Sequence, residues 1–409
     1  MLMYLKYYRY LTTAKQLLIL GAGFGGLTSA TLMRKSLPHE ECQITVIDKN
    51  LHFMMGIVNL WMLSGSRGLE DSQVTLSKLE DKGIRFLNDE ITGIYPSENS
   101  ITTRTKQDKL KYDYLIVALG AELAPKLIDG FEENGSCFNV YDAHQVPNLR
   151  EKILSLKNGR ILICIADTPY KCPPAPYEIS LLINDILIKN GTRDAIDLDV
   201  YGPTPIALPV AGSTVSRSVV ELLNDNDVKF HPLHKLKKVL DKKLVEFENG
   251  AKTSFDLLIV IPPHQVPQVI KNSGLLGDGD QRWIKVDKFT LRTKYENVFA
   301  IGDVTEIRLD NGITIPKAGI FAEGEAKVVS QQIIDEIKNN NNNSSKKSTS
   351  SKFDGKGFCF MEVGNKKAGY IDADLYNERG PTVRLDPPSA ELYEKKLDFE
   401  RSRLDEWLM

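Results

Sequence analysis

Residues 16–48 restrict the possible folds of this chain more than any other stretch. Gln16 to Leu20 is a short apolar run with the character of a strand, followed at once by Gly21, Gly23 and Gly26 in GxGxxG spacing. A helical run, Leu27 to Lys35, comes next, and then a second strand, Ile44 to Ile47, that ends in Asp48. Asp48 follows the last glycine by about 22 positions, near the separation at which a carboxylate reaches an adenosine ribose. A lone GxGxxG is common, but strand, glycine turn, helix, strand and acid in this order specify a dinucleotide site. The glycines permit a tight turn and close backbone approach, and the helix N-terminus faces the pyrophosphate.

The chain then repeats itself. Tyr112 to Gly120 (YDYLIVALG) is echoed by Phe255 to Pro263 (FDLLIVIPP), an offset of 143 positions. The same offset carries Gln16 to Gly21 onto Gly159 to Cys164, another buried-strand pattern. The expected fold is therefore α/β, with two Rossmann-like dinucleotide-binding domains, each a three-layer βαβ unit with an inserted β-meander, plus a C-terminal module. The expected boundaries are an N-terminal extension at 1–14, a discontinuous first domain at 15–125 and 280–338, and a second domain at 126–279. A linker at 339–352 and the module at 353–409 complete the chain. In the second copy Cys164, Ala166 and Pro169 stand where the first has Gly21, Gly23 and Gly26. Proline and side chains there obstruct a phosphate cradle, so a nicotinamide dinucleotide is disfavoured in that unit. In the vacated place stands a thiol loop, Lys171-Cys172-Pro173-Pro174-Ala175-Pro176-Tyr177-Glu178, leading into a helical run from Tyr177 to Asn190.

Composition removes several function classes. A net charge of −2 with interspersed signs provides no basic field for nucleic acid. No apolar run reaches the length of a membrane span, and residues 1–10 lack a signal core, so the expected location is the cytoplasm, with a peripheral contact on the inner face of the cell membrane left open. Five cysteines in 409 residues do not suggest a structural disulfide framework. His52, His144, His231, His234 and His264 lack metal-ligand spacing, and no metal is expected. Asn339 to Lys352 is too polar to order itself and reads as a mobile loop. Beyond it, Gly357 to Met361 alternates like a strand and carries Cys359.

These residues together resemble the FAD-dependent pyridine nucleotide-disulfide oxidoreductase superfamily, in the branch that holds sulfide:quinone oxidoreductases and the flavoprotein of flavocytochrome c sulfide dehydrogenase. The landmarks are the Gly21 to Gly26 turn, Ala118-Leu119-Gly120, Asn297 to Asp303 (NVFAIGD), Pro316 to Gly319 (PKAG), the thiol loop and Gly357-Phe358-Cys359. The resemblance implies FAD at the first site, with Asp303 on its ribityl chain. It implies contacts from Gly21, Gly23, Phe24, Gly25, Gly26, Asp48, Lys49, Ala118, Leu119, Gly120, Gly302, Asp303, Lys317 and Ala318. No cysteine lies between Asp48 and Ser136, and Gly56 stands near where covalent relatives attach the flavin, so non-covalent FAD is expected.

The same resemblance makes Cys172 and Cys359 a redox pair, joined directly or through sulfur, with Glu178 as proton relay and Lys317 as the positive group near the flavin. Sulfide attack on one sulfur leaves a persulfide and a thiolate, which a helix N-terminus or nearby base would favour. Cys137, 35 positions before Cys172, is a candidate third redox thiol. Phe358 and Phe360 are candidate walls of a quinone slot. The expected function is sulfide oxidation with transfer to a quinone. The alternatives are a cytochrome c-linked sulfide dehydrogenase, a type II NADH:quinone dehydrogenase and a non-catalytic flavin/thiol sensor. Expected partners are sulfide or a small thiol, a quinone or cytochrome c, a peripheral membrane contact and a second copy of the chain, with no nucleic acid. The charged tail from Leu392 to Leu408 carries a ragged apolar stripe, expected to dock on the protein's own body.

Overall fold

The computed structural model describes residues 14–133, 135–277, 282–341 and 351–409. In chain order, β1 (Lys15–Leu20) leads through the glycine turn to α1 (Phe24–Ser36), β2 (Cys42–Asp48), β3 (Arg85–Asn88), a short antiparallel meander and β4 (Tyr114–Val117). The second unit runs β5 (Cys137–Asn139), β6 (Gly159–Ile165), α2 (Ala175–Lys189), β7 (Ile196–Tyr201), β8 (Val228–His231), a second meander and β9 (Leu257–Ile261). The chain then returns as β10 (Val298–Ala300) and α3 (Gly319–Asn341), and closes with β11 (Lys356–Gly364), β12 (Lys367–Asp374), β13 (Thr382–Ser389) and α4 (Ala390–Leu408).

Two five-stranded parallel sheets form the frame, in the orders β10-β4-β1-β2-β3 and β5-β9-β6-β7-β8. Their central strands are continuous Leu, Ile and Val runs because both faces are covered, and Leu17 to Leu20 and Leu257 to Ile261 are all buried. The repeated segments meet: Glu122 and Leu123, just after β4, pair antiparallel with Gln265 and His264, just after β9. The two copies of the repeat therefore clasp each other at the C-terminal ends of their strands, where open α/β sheets place ligands.

The third layer closes the molecule over this edge. β11, β12 and β13 form an antiparallel sheet, and α4 docks on the body of the protein with Tyr393, Lys396, Glu400, Trp407 and Leu408 buried. Helix α3 continues past Ile337 to Asn341, into the stretch expected to be a loop. A helix that long is already nucleated, and adding asparagine to its end costs only a fraction of a kcal/mol, roughly 0.5, per residue. Residues 1–13 of the extension expected at 1–14, and residues 342–350 of the polar run, lie outside the described residues. Among the described residues, no helix is long and apolar enough to cross a membrane.

Candidate active site

Each glycine of the first turn has a distinct geometric task. Gly21 sits at φ +99°, and a Cβ there would come 2.4 Å from the Ala118 carbonyl oxygen. At Gly26 a Cβ would come 1.9 Å from the Gly21 carbonyl oxygen, so this glycine lets α1 pack against β1. Around Gly23 nothing lies within 4 Å, leaving open space where a phosphate approaches. The chain thus fits a dinucleotide by its backbone. Asp48 braces the turn: its Oδ2 accepts a hydrogen bond from the Ala22 amide at 2.8 Å and its Oδ1 one from the Asn50 amide at 2.8 Å.

From this turn a cavity of about 450 Å³ runs to the thiol loop. Gly23, Phe24, Gly25, Ala118, Gly120, Gly302, Asp303, Lys317 and Ala318, all expected cofactor contacts, line it. Gly21, Gly26, Asp48 and Lys49 stand outside its walls, and Leu119 packs against an apolar cluster instead. The far wall holds Cys172, Glu178, Cys359, Phe358 and Phe360, so residues separated by nearly two hundred positions share one chamber with the glycine turn.

Cys172 is held firmly. Its φ of +56° is a left-handed conformation uncommon for a side-chain-bearing residue. Its amide donates a 2.7 Å hydrogen bond to the Lys317 carbonyl, and its own carbonyl accepts one from Ala175 at 2.9 Å. Cys359 lies opposite on β11. Both are free thiols. Burial, then the neighbouring Glu178 carboxylate, raises each above an ordinary thiol, Cys172 far above and Cys359 to about 12. The helix that follows Cys172 was expected to favour its thiolate, but desolvation outweighs that field. A disulfide or sulfur-bridged pair carries no proton, and burial does not penalise it in this way. Cys137 is not brought to this chamber: it is buried on β5 among Ile128, Leu162 and Phe247, and burial raises its thiol to about 11.

Lys396, on the chamber wall, and Glu325, behind the Gly302 turn, are groups that the sequence did not single out. Lys396 on α4 is 1% exposed and bonds Glu178 Oε1 at 3.0 Å and Glu362 Oε2 at 2.9 Å. Its one sequence cue is helical spacing from Leu392 and Tyr393, which places it on the buried stripe of a charged helix. Glu325 on α3 accepts a 2.6 Å hydrogen bond from the Gly302 amide, and burial raises its carboxyl to about 8. Lys317 donates to the carbonyl oxygens of Asp303 at 2.6 Å and Thr305 at 2.9 Å and lies over the Trp283 ring. Burial lowers its ammonium to about 8. Asp303 is raised, again chiefly by burial.

Phe358 and Phe360 pack edge to face at 5.8 Å, and Phe399 of α4 joins them at 5.6 and 6.1 Å. These three rings divide the inner chamber from an outer hollow of about 670 Å³ that reaches Lys395, Arg401 and Arg403. Phe399 also stacks on Phe24 beside the glycine turn, and Trp407 packs edge-on against Phe24 at 5.1 Å.

The second unit departs from the first where its phosphate turn would be. The chain leaves β6 through Ala166 and a cis Thr168–Pro169 bond. Strand β7 ends in Tyr201, stacked between His231 at 4.3 Å and Phe247 at 4.8 Å, in the place where β2 ends in a carboxylate. These rings occupy the end of the strand, the place from which Asp48 acts in the first unit.

The pyridine nucleotide-disulphide oxidoreductase family matches residues 15–164 and 200–338. The mitochondrial sulfide:quinone oxidoreductase of Dictyostelium discoideum is 31% identical over 310 residues, covering 73% of this chain and 67% of the relative. That of Mus musculus is 30% identical over 305 residues, covering 71% of this chain and 66% of the relative. The solved sulfide:quinone oxidoreductase of Aquifex aeolicus superposes with a TM-score of 0.82 at 24% identity, covering 95% of this chain and 90% of that one, a likeness of fold.

Proposed function

The chain belongs to the pyridine nucleotide-disulphide oxidoreductase family, and from that premise we propose that it is an FAD-dependent enzyme that oxidises sulfide through Cys172 and Cys359 and passes the electrons to a quinone. The observation that carries this reading is the shared chamber: both cysteines line the same cavity as Gly23, Gly302 and Asp303.

The backbone at Gly23 would hold the FAD pyrophosphate and Asp48 the ribose, with Asp303 reaching the ribityl chain, all without a covalent link. Bound there, FAD would accept the electron pair released from sulfur and deliver it to quinone.

Hydrosulfide attacks one sulfur of the bridged Cys172/Cys359 pair, forming a new S–S bond as a persulfide on that cysteine and releasing the other as thiolate. Glu178, buried beside both cysteines and raised mainly by burial, is placed to take or return the proton. Lys317, anchored on two carbonyls, holds the Asp303 turn and adds positive charge to the wall. Phe358 and Phe360 form the quinone contact, and peripheral association with a bilayer through the outer hollow would bring a membrane quinone to them.

The test is anaerobic addition of sulfide to the purified protein with the flavin spectrum followed. Bleaching in the wild type and none in Cys172→Ser or Cys359→Ser is the expected result. A flavin that stays oxidised in the wild type rejects the proposal.

A further inference from the structure

A buried ionic cluster stands behind the thiol pair, and its members come from three separate parts of the chain. Glu178 lies in the first turn of α2, Glu362 on β11 and Lys396 on α4. All three are at most 3% exposed. Glu178 Oε1 accepts hydrogen bonds from the Lys396 ammonium at 3.0 Å and from the Glu362 amide at 2.8 Å. Glu362 Oε2 accepts from Lys396 at 2.9 Å and from the Trp61 indole at 3.2 Å.

Two carboxyls share one ammonium in a dry place, which leaves an uncompensated negative charge when both are ionised. Burying ions costs several kcal/mol each, and apolar residues would dock α4 as well or better, so packing alone does not account for the cluster. Glu178 and Lys396 both reach the wall of the chamber where the two thiols lie. The ammonium acts on both cysteines, opposing the effect of Glu178 at each.

We infer that Lys396 is a positioning residue for the sulfur chemistry: it holds Glu178 in place and supplies the positive charge that lets Cys172 and Cys359 lose their protons. The inference rests on the thiol pair of the proposed reaction and adds α4 to its machinery, because the thiols acquire this charge only when α4 is docked. Other groups face the cluster. Tyr141 and Tyr170 lie near Cys172, Tyr370 near Cys359, and Lys171, Asp303 and Lys317 elsewhere on the chamber wall. Tyr393 lies near Glu362 and Lys396, and Arg67, paired with Glu400, lies near Tyr393. Lys396 alone among the cations in this surrounding bonds the carboxyl that borders the thiols.

The experiment is the rate of iodoacetamide alkylation of Cys172 and Cys359 in the anaerobically reduced, flavin-loaded protein, followed by peptide mass spectrometry across pH. It needs neither sulfide nor quinone, so its outcome is independent of whether the proposed reaction occurs. Removing a neighbouring opposite charge raises a thiol by about one pH unit or more, and greater nucleophilicity recovers part of the lost thiolate, so Lys396→Met slows alkylation about threefold at fixed pH. Lys396→Arg restores part of the rate. Glu362→Gln speeds it, because the ammonium is shared with one carboxylate fewer. Lys367→Met, an exposed cation at the start of β12 outside both hollows, leaves it unchanged. Mere loosening would expose the thiols and speed alkylation, so a rate for Lys396→Met equal to or above the wild type overturns the inference. Should that variant not fold, a Glu362→Gln rate no higher than wild type overturns it instead.

Discussion

The amide of Cys172 donates a 2.7 Å hydrogen bond to the carbonyl of Lys317. This bond ties the thiol loop of the second unit to the segment that returns to the first, and it fixes the loop while Cys172 is in a left-handed backbone conformation. Glycine tolerates that conformation and alanine does not, so Cys172→Gly is expected to be more stable than Cys172→Ala by about 1 kcal/mol. Urea denaturation of the two variants measures the difference. Equal stabilities would mean that the loop relaxes when the thiol is removed.

Gly23 and Gly26 separate cofactor binding from folding. Gly26→Ala drives a Cβ into the Gly21 carbonyl and is expected to destabilise the protein by about 1–3 kcal/mol. Gly23→Ala meets no protein atom, so its melting temperature without flavin should match the wild type. Its Cβ instead projects toward the phosphate space, and flavin affinity is expected to fall roughly tenfold, about 1.4 kcal/mol. Flavin titration of the apoprotein by fluorescence quenching reads the affinity, and thermal melts of the apoprotein read the stability.

Glu325 links stability to pH. Its folded carboxyl is raised to about 8, mainly by burial, whereas an unfolded glutamate titrates near 4.5. Between those values the folded protein keeps a proton that the unfolded chain has lost, so rising pH through this window disfavours folding, and the loss levels off above about 8. Glu325→Gln, which still accepts from the Gly302 amide, removes that dependence. The stability of the variant relative to wild type should therefore increase between pH 5 and 8, as measured by thermal melts at several pH values. A constant difference would place the proton elsewhere.

Phe360 stands in the three-ring partition as well as on the wall that carries the thiols, and the proposed function gives it the quinone. Phe360→Ala is expected to raise the quinone KM about tenfold, a loss of roughly 1.4 kcal/mol of contact energy, with anaerobic flavin reduction by sulfide unchanged. Steady-state and single-turnover kinetics on one preparation separate the two steps. An equal loss in both would assign the ring to the sulfur side.

The parts of the fold that depend on local pattern were legible. The glycine turn, the apolar strands and the repeated YDYLIVALG segment each carry their signal within a short window, and β1, β2, β4 and β9 follow it. The Cys172 and Cys359 positions were legible through resemblance to a family, and their local sequence contains nothing that says they meet. Lys396 and Glu362 were not legible. Each reads as an ordinary charge on a helix or strand, and only the docking of α4, across 218 positions to Glu178, makes them partners. The depth of burial that opposes a thiolate at Cys172 was not legible for a related reason, since a sequence shows the helix that follows a cysteine but not how far the thiol is desolvated.

Strand β10 lies against β4 in the first sheet, yet the entire second unit separates them in the chain. During synthesis on the ribosome the second sheet can therefore close before the first is complete. The nascent glycine turn, although made early, must wait without its Gly302-Asp303 counterpart until the later unit has folded and carried the chain back. Cofactor capture is thus expected to be a late event, gated by the maturation of a unit that has no glycine turn of its own.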